Sequence, residues 1–146
     1  MSEEIWVPSA VDSKVASEGK TFSIDDDAGI HYGEFTLKYL PTYDEKLELE
    51  KKRAWARHGV NNNKEKDFYK RMAATLAHLS LTDWTLPTNP AKKNAKSPEF
   101  SADAAYRYLT QENTRHVLVE LAQLAGNNAN FQGENGNDSD EEVAGN

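Results

Sequence analysis

The sequence predicts a mainly helical α+β domain: an N-terminal β-hairpin followed by about four helices, with a disordered acidic tail. Three observations carry this. Apolar and polar residues alternate on either side of the turn-forming run Asp25-Asp26-Asp27-Ala28-Gly29. Phe68, Met72, Thr75, Leu76 and Leu79 recur at helical steps. Val117, Leu118, Leu121, Leu124 and Ala125 form a second apolar face of the same kind. With 146 residues and 38% hydrophobic content, the chain suits one domain.

That domain is expected to span residues 20–131. Residues 1–19 have scattered apolar positions without a sustained period and read as a flexible N-terminal segment. Residues 132–146 hold little besides Gly, Asn, Asp and Glu and have almost nothing to bury, so they read as a disordered tail.

Within the domain, Thr21 to Ile24 forms the first strand and Ile30 to Leu40 the second, with Phe35, Leu37 and Tyr39 at period two. Gly33 marks a bulge or a strand start. A lone hairpin is marginal in water, so the helices must cover it. The first helix opens after Pro41, with Thr42 as N-cap and Glu45 completing a capping box. Tyr43, Leu47, Ala54 and Trp55 share one of its faces, and Glu48 and Lys52 are spaced for an ion pair. Gly59 and the following asparagines end it. The second helix is expected over residues 64–81, stopping near Thr82-Asp83 with Trp84 just beyond. Pro87, Pro90 and Pro98 exclude regular structure from 85–99, which reads as an exposed loop bearing Lys92, Lys93 and Lys96. Ser101 caps a short helix with Ala104, Ala105, Tyr108 and Leu109. A final helix begins at Asn113 or Thr114 and closes at Gly126, and Phe131 is the last packed residue.

The net charge of −7 is unevenly spread. Residues 46–96 carry twelve Lys and Arg against five acidic residues, whereas Glu134, Asp138, Asp140, Glu141 and Glu142 meet no base in the tail. Such a chain can hold its own tail on its surface or offer two faces to partners. The basic middle, interleaved with Trp55, Tyr69 and Trp84, also has the makings of a nucleic-acid surface. Glu residues mixed among the bases and a pI near 5.1 weigh against that.

Chemistry-bearing patterns are sparse. There is no cysteine, which removes disulfides and thiolate metal sites. His31, His58, His78 and His116 show no metal-ligand spacing and read as scattered surface or helix-end residues, so neither a metal nor another cofactor is expected. The three aspartates at 25–27 lack the spacing of a calcium loop and read as a solvated turn. No phosphate-binding glycine loop or nucleophile elbow occurs, so the chain is not expected to be an enzyme. No apolar run approaches a membrane span, and the acidic N-terminus lacks a signal-peptide layout, so a cytoplasmic protein is expected.

Four segments, in order, carry a resemblance. Gly33-Glu34-Phe35-Thr36-Leu37-Lys38-Tyr39-Leu40 leads into the charged helix. Leu81-Thr82-Asp83-Trp84 ends the next one, with Asp83 where Gly is usual. Phe100-Ser101-Ala102-Asp103-Ala104-Ala105 starts a helix after a polar loop that is longer and richer in Lys than usual. Ala125, four residues, then Asn130-Phe131 close the pattern. Across residues 33–131 this resembles the tail assembly chaperones of long-tailed bacteriophages. The resemblance implies a non-enzymatic protein of the infected host's cytoplasm that keeps the tape measure protein soluble while tail tube subunits assemble, and that is absent from the mature virion. The major tail tube protein and further copies of the chain are additional partners. The acidic tail would look like that of the short form made beside a frameshifted longer one. Under this reading Trp55, Phe68, Met72, Trp84 and Phe131 are the expected partner-binding positions. The competing readings are a connector or tail completion component retained in the virion, and a small nucleic-acid-binding regulator.

Overall fold

The computed structural model describes Ile5 and residues 11–41, 44–60 and 64–133. Its framework is a three-stranded antiparallel sheet in the order β1-β2-β3, with β1 at Lys20–Asp25, β2 at His31–Leu37 and β3 at Leu81–Thr85. Among the described residues the α-helices are α1 (Ser13–Glu18), α2 (Glu45–Arg57), α3 (Phe68–Thr75), α4 (Ala102–Leu109) and α5 (Arg115–Gly126). None is long and apolar enough to cross a membrane.

The hairpin forms as its alternation predicts. Phe22 faces Phe35 and Ile24 faces Gly33 across β1 and β2. Ile24, Phe35 and Leu37 are fully buried, while the opposite face carries polar pairs such as Thr21 and Thr36, whose hydroxyls lie 2.7 Å apart. In the turn, the Asp26 carboxylate accepts hydrogen bonds from the amides of Ala28 (2.9 Å) and Ile30 (2.8 Å). The acidic run therefore serves the turn backbone.

Gly33 answers a specific demand. Its φ of +131° is one that L side chains rarely adopt, and a Cβ there would lie 2.7 Å from the carbonyl oxygen of Thr85 on the neighbouring strand. Gly33→Ala is expected to destabilise the domain by about 2–4 kcal/mol, combining backbone strain with overpacking. Urea denaturation of the variant beside the parent checks this.

The third strand departs from expectation. The sequence predicts one helix over 64–81 with Trp84 in the loop beyond it. Instead a 3₁₀ turn (Glu65–Asp67) precedes α3, a π-helical turn (Leu76–Ser80) follows it, and the chain enters β3 directly. Ser80 fastens the exit: its hydroxyl donates to the carbonyl of Lys38 at 2.6 Å, and its own carbonyl accepts the Lys38 amide at 2.8 Å. An irregularity in register between Thr36 and Leu37 places Leu37 opposite Leu81 and Phe35 opposite Trp84. Leu81 and Trp84, three positions apart, thereby both reach the core, a spacing that hides the strand from an alternation test.

The N-terminal segment also departs. The sequence predicts an unpacked segment over residues 1–19, but 11–19 fold back on the body. Asp12 caps α1 by accepting the amides of Lys14 and Val15, and donates its own amide to the carbonyl of Phe131 at 2.9 Å. Val11 and Val15 pack against the core. A six-residue helix has too few turns to show a period and is stable only through such contacts.

Elsewhere the boundaries shift slightly. Thr42 and Tyr43 lie outside the described residues, and Asp44 caps α2 through the Lys46 amide. Glu48 is met by Lys51 at 3.4 Å, one residue before the expected Lys52. Ser101 caps α4 as predicted, and the loop lysines 92, 93 and 96 are exposed. Of the expected tail, Gln132 continues in extended backbone and Gly133 is buried beside the Asp12 side chain, so packing reaches past Phe131, and 134–146 lie outside the described residues.

The core lies between the sheet and helices α4 and α5, where Ala105, Leu109, Val117, Leu118, Leu121 and Ala125 are buried. Tyr108 sits between Phe35 and Trp84, with ring centroids 6.0 and 5.7 Å away. Burial, helped by the neighbouring Tyr32, pushes its phenol up to about 12. Because the folded value is raised, the stability linked to Tyr108 is intact below pH 10 and is lost as pH rises through 10 towards 12. Tyr108→Phe is expected to flatten that alkaline loss, as read by urea denaturation at about pH 9 and pH 11.5.

Candidate functional site

Three of the five residues expected to meet a partner come together. Trp55 on α2 and Phe68 and Met72 on α3 line a groove of about 410 Å³ between α2, α3 and α5. Leu40, Leu76 and Ala122 add to its apolar lining, and Lys51 and Arg71 bring positive charge.

Local chemistry sets this shape. Residues 54 and 55 lie on the face of α2 turned to the body, with Ala54 buried and Trp55 half-buried. The Trp55 indole N–H donates to Thr75 Oγ1 at 2.8 Å, and Thr75 donates in turn to the carbonyl of Arg71, also at 2.8 Å. The Arg71 guanidinium lies 5.9 Å from the indole ring centroid. The ring is thus held by its polar edge while its apolar surface faces the groove. Phe68, at the start of α3, is 52% exposed although it belongs to the apolar stripe that identifies the helix. That stripe is wider than the body covers.

The other two expected contact residues are inside. Trp84 is buried against Phe100 and Tyr108, and its indole N–H donates to the carbonyl of Pro98 at 2.8 Å, which ties the end of the proline loop to the sheet. Phe131 is fully buried beneath Tyr39 and Phe22, with centroids 5.3 and 6.4 Å away. Aromatic residues at chain reversals satisfy core and contact patterns equally well in sequence. The sheet decides between them by presenting a surface that these rings cover.

The histidines correct a second expectation. His31 stays exposed beside Asp25, and His116 lies edge-on to Tyr32. His58 and His78 are not scattered, because their Nε2 atoms are 2.7 Å apart. His58 follows the last turn of α2, and His78 lies in the π-helical turn. Asp103, in the first turn of α4, brings Oδ1 to 3.7 Å from His58 Nε2 and 4.0 Å from His78 Nε2. The three groups could hold a metal ion. Arg57 grips the same carboxylate with two hydrogen bonds of 3.0 Å, which hold Asp103 below the usual carboxylate range. Burial lowers both histidines, so their neutral forms prevail at neutral pH. The spacings of 20 and 25 residues between His58, His78 and Asp103 carry no motif, so no local signal could have joined them.

Comparison with protein-family models, curated proteins and solved structures finds no match for the chain.

Proposed function

We propose that this protein is a tail assembly chaperone of a long-tailed bacteriophage, and that its groove takes an apolar helical segment of the tape measure protein. The observation that carries the reading is the groove itself: an apolar channel beside the exposed Phe68, walled by Trp55 and Met72. The ordered sequence resemblance across residues 33–131 supplies the biological context.

The physical task suits such a surface. A tape measure protein is a long helical molecule whose apolar seams stay uncovered until tube subunits enclose it. An amphipathic helix placed in the groove would bury its seam against Trp55, Phe68 and Met72, the helix-in-groove mode. Lys51 and Arg71 favour a segment with Asp or Glu beside the seam. Several copies along one tape would add avidity, so each contact can stay weak enough to be displaced by arriving tube subunits.

The test is co-expression with the tape measure protein of the same phage, followed by gel filtration of the soluble fraction. Tape measure protein that is soluble and co-elutes only in the presence of this chain supports the proposal. Tape measure protein that remains insoluble, with this chain eluting alone, overturns it. Detection of the chain in purified virions would favour a connector or tail completion component instead, and salt-dependent DNA or RNA binding would favour a regulator.

A further inference from the structure

We propose that His58 Nε2, His78 Nε2 and Asp103 Oδ1 form a binding site for a divalent transition-metal ion of the zinc class, which staples α2 to the body of the domain. The inference is independent of the chaperone reading.

Geometry comes first. The three donor atoms are separated by 2.7, 3.7 and 4.0 Å, and the point equidistant from them lies about 2.1 Å from each. That is the ordinary length of a bond from zinc to imidazole nitrogen or carboxylate oxygen. A tetrahedral ion spaces its ligands by about 3.4 Å, so binding asks the two rings to part by roughly 0.7 Å and the carboxylate to close by roughly 0.3–0.6 Å. Side-chain rotation suffices for movements of that size.

The contacts already present engage the three donors separately. One neutral imidazole donating Nε2–H to the other accounts for the 2.7 Å separation of the nitrogens. The Arg57 fork holds the Asp103 carboxylate, whose Oδ1 faces the same point from 3.7 and 4.0 Å, too far to accept a hydrogen bond from either ring. An ion between the three engages all of them.

The surroundings hold the donors in place. The fork of Arg57 on Asp103 fixes the carboxylate plane, and Tyr106 stacks on the His58 ring at 3.8 Å between centroids with an interplanar angle of 16°. His78 belongs to a π-helical turn, an irregularity that often serves to place a functional side chain. Two imidazoles and one carboxylate select a first-row transition ion over magnesium or calcium, which prefer all-oxygen sites. The positive charge of Arg57 opposes the ion and keeps affinity moderate. His58 and Asp103 also line a cavity of about 480 Å³ with Arg57, Tyr106 and Arg107, where water or a small anion would complete the shell. The gain would fall on α2, whose only buried residue is Ala54 and whose C-terminal end would become tied to α4 and to the turn after α3.

The experiment uses the full chain without a histidine tag, stripped with a chelator and titrated with Zn²⁺ by calorimetry, with Co²⁺ as a spectroscopic probe. The expected result is saturable uptake of one ion per chain at micromolar affinity, a tetrahedral Co²⁺ absorption spectrum, and a rise in Tm with Zn²⁺. His78→Gln and Asp103→Asn should each weaken binding at least about tenfold, while the double variant His31→Gln and His116→Gln should bind as the parent does. Side-chain NMR of the parent protein keeps the test decisive if a variant fails to fold: Zn²⁺ should shift the imidazole nitrogens of His58 and His78. Absence of saturable uptake at about 100 μM Zn²⁺, or shifts confined to His31 and His116, would overturn the proposal.

Discussion

Replacing Phe131 with alanine is expected to destabilise the domain by about 3–5 kcal/mol, the range for emptying a buried phenylalanine site. The ring is fully buried against Tyr39 and Phe22, and its backbone carbonyl receives the Asp12 amide at 2.9 Å. The truncation therefore leaves a cavity where the turn Asn128–Phe131 meets both the hairpin and α1. Folded domains have roughly 5–15 kcal/mol in total, so the variant should melt many degrees lower or fail to accumulate. Urea denaturation followed by fluorescence and by circular dichroism measures the effect. A loss below about 1 kcal/mol would mean that the site collapses around the smaller side chain, or that Phe131 is not packed as described.

Phe68→Asp should have the opposite profile. Its ring is 52% exposed, so folding stability should change by no more than about 0.5 kcal/mol. The groove, however, would lose an aromatic wall and gain a charge facing the apolar seam of its partner. An aromatic hot spot contributes about 2 kcal/mol or more, so solubilisation of the tape measure protein should require at least about 30-fold more chaperone. Leu49→Asp is the control: Leu49 is 57% exposed on α2 but does not line the groove, and both stability and solubilisation should stay at parental levels. Equal loss in the two variants would indicate a general effect of added negative charge, and no loss in either would remove the groove as the contact surface.

Legibility in the sequence followed the range of the interactions. The hairpin was readable because Phe35 and Leu37 alternate with polar neighbours and the turn between the strands is built from its own residues. The stripe of α3 and the face of α5 were readable for the same reason, since side-chain period reports one-sided burial within a single element. The third strand was not readable. Residues 76–80 continue the apolar pattern of α3, and the register irregularity opposite Thr36 and Leu37 breaks the alternation of β3. The helix at Ser13–Glu18 was equally hidden, because its stability comes from Phe131, more than a hundred residues away in the chain.

The sequence by itself therefore determined the composition of the layers: a hairpin, amphipathic helices and a loop with exposed lysines. Each follows from local spacing and turn chemistry. Only the tertiary structure decided which aromatic residues face outward, sending Trp84 and Phe131 into the core and leaving Phe68 at the groove, because burial depends on what the fold places opposite each ring. It alone also brought His58, His78 and Asp103 to one point, since three residues on separate elements converge through the path of the chain and not through any spacing along it.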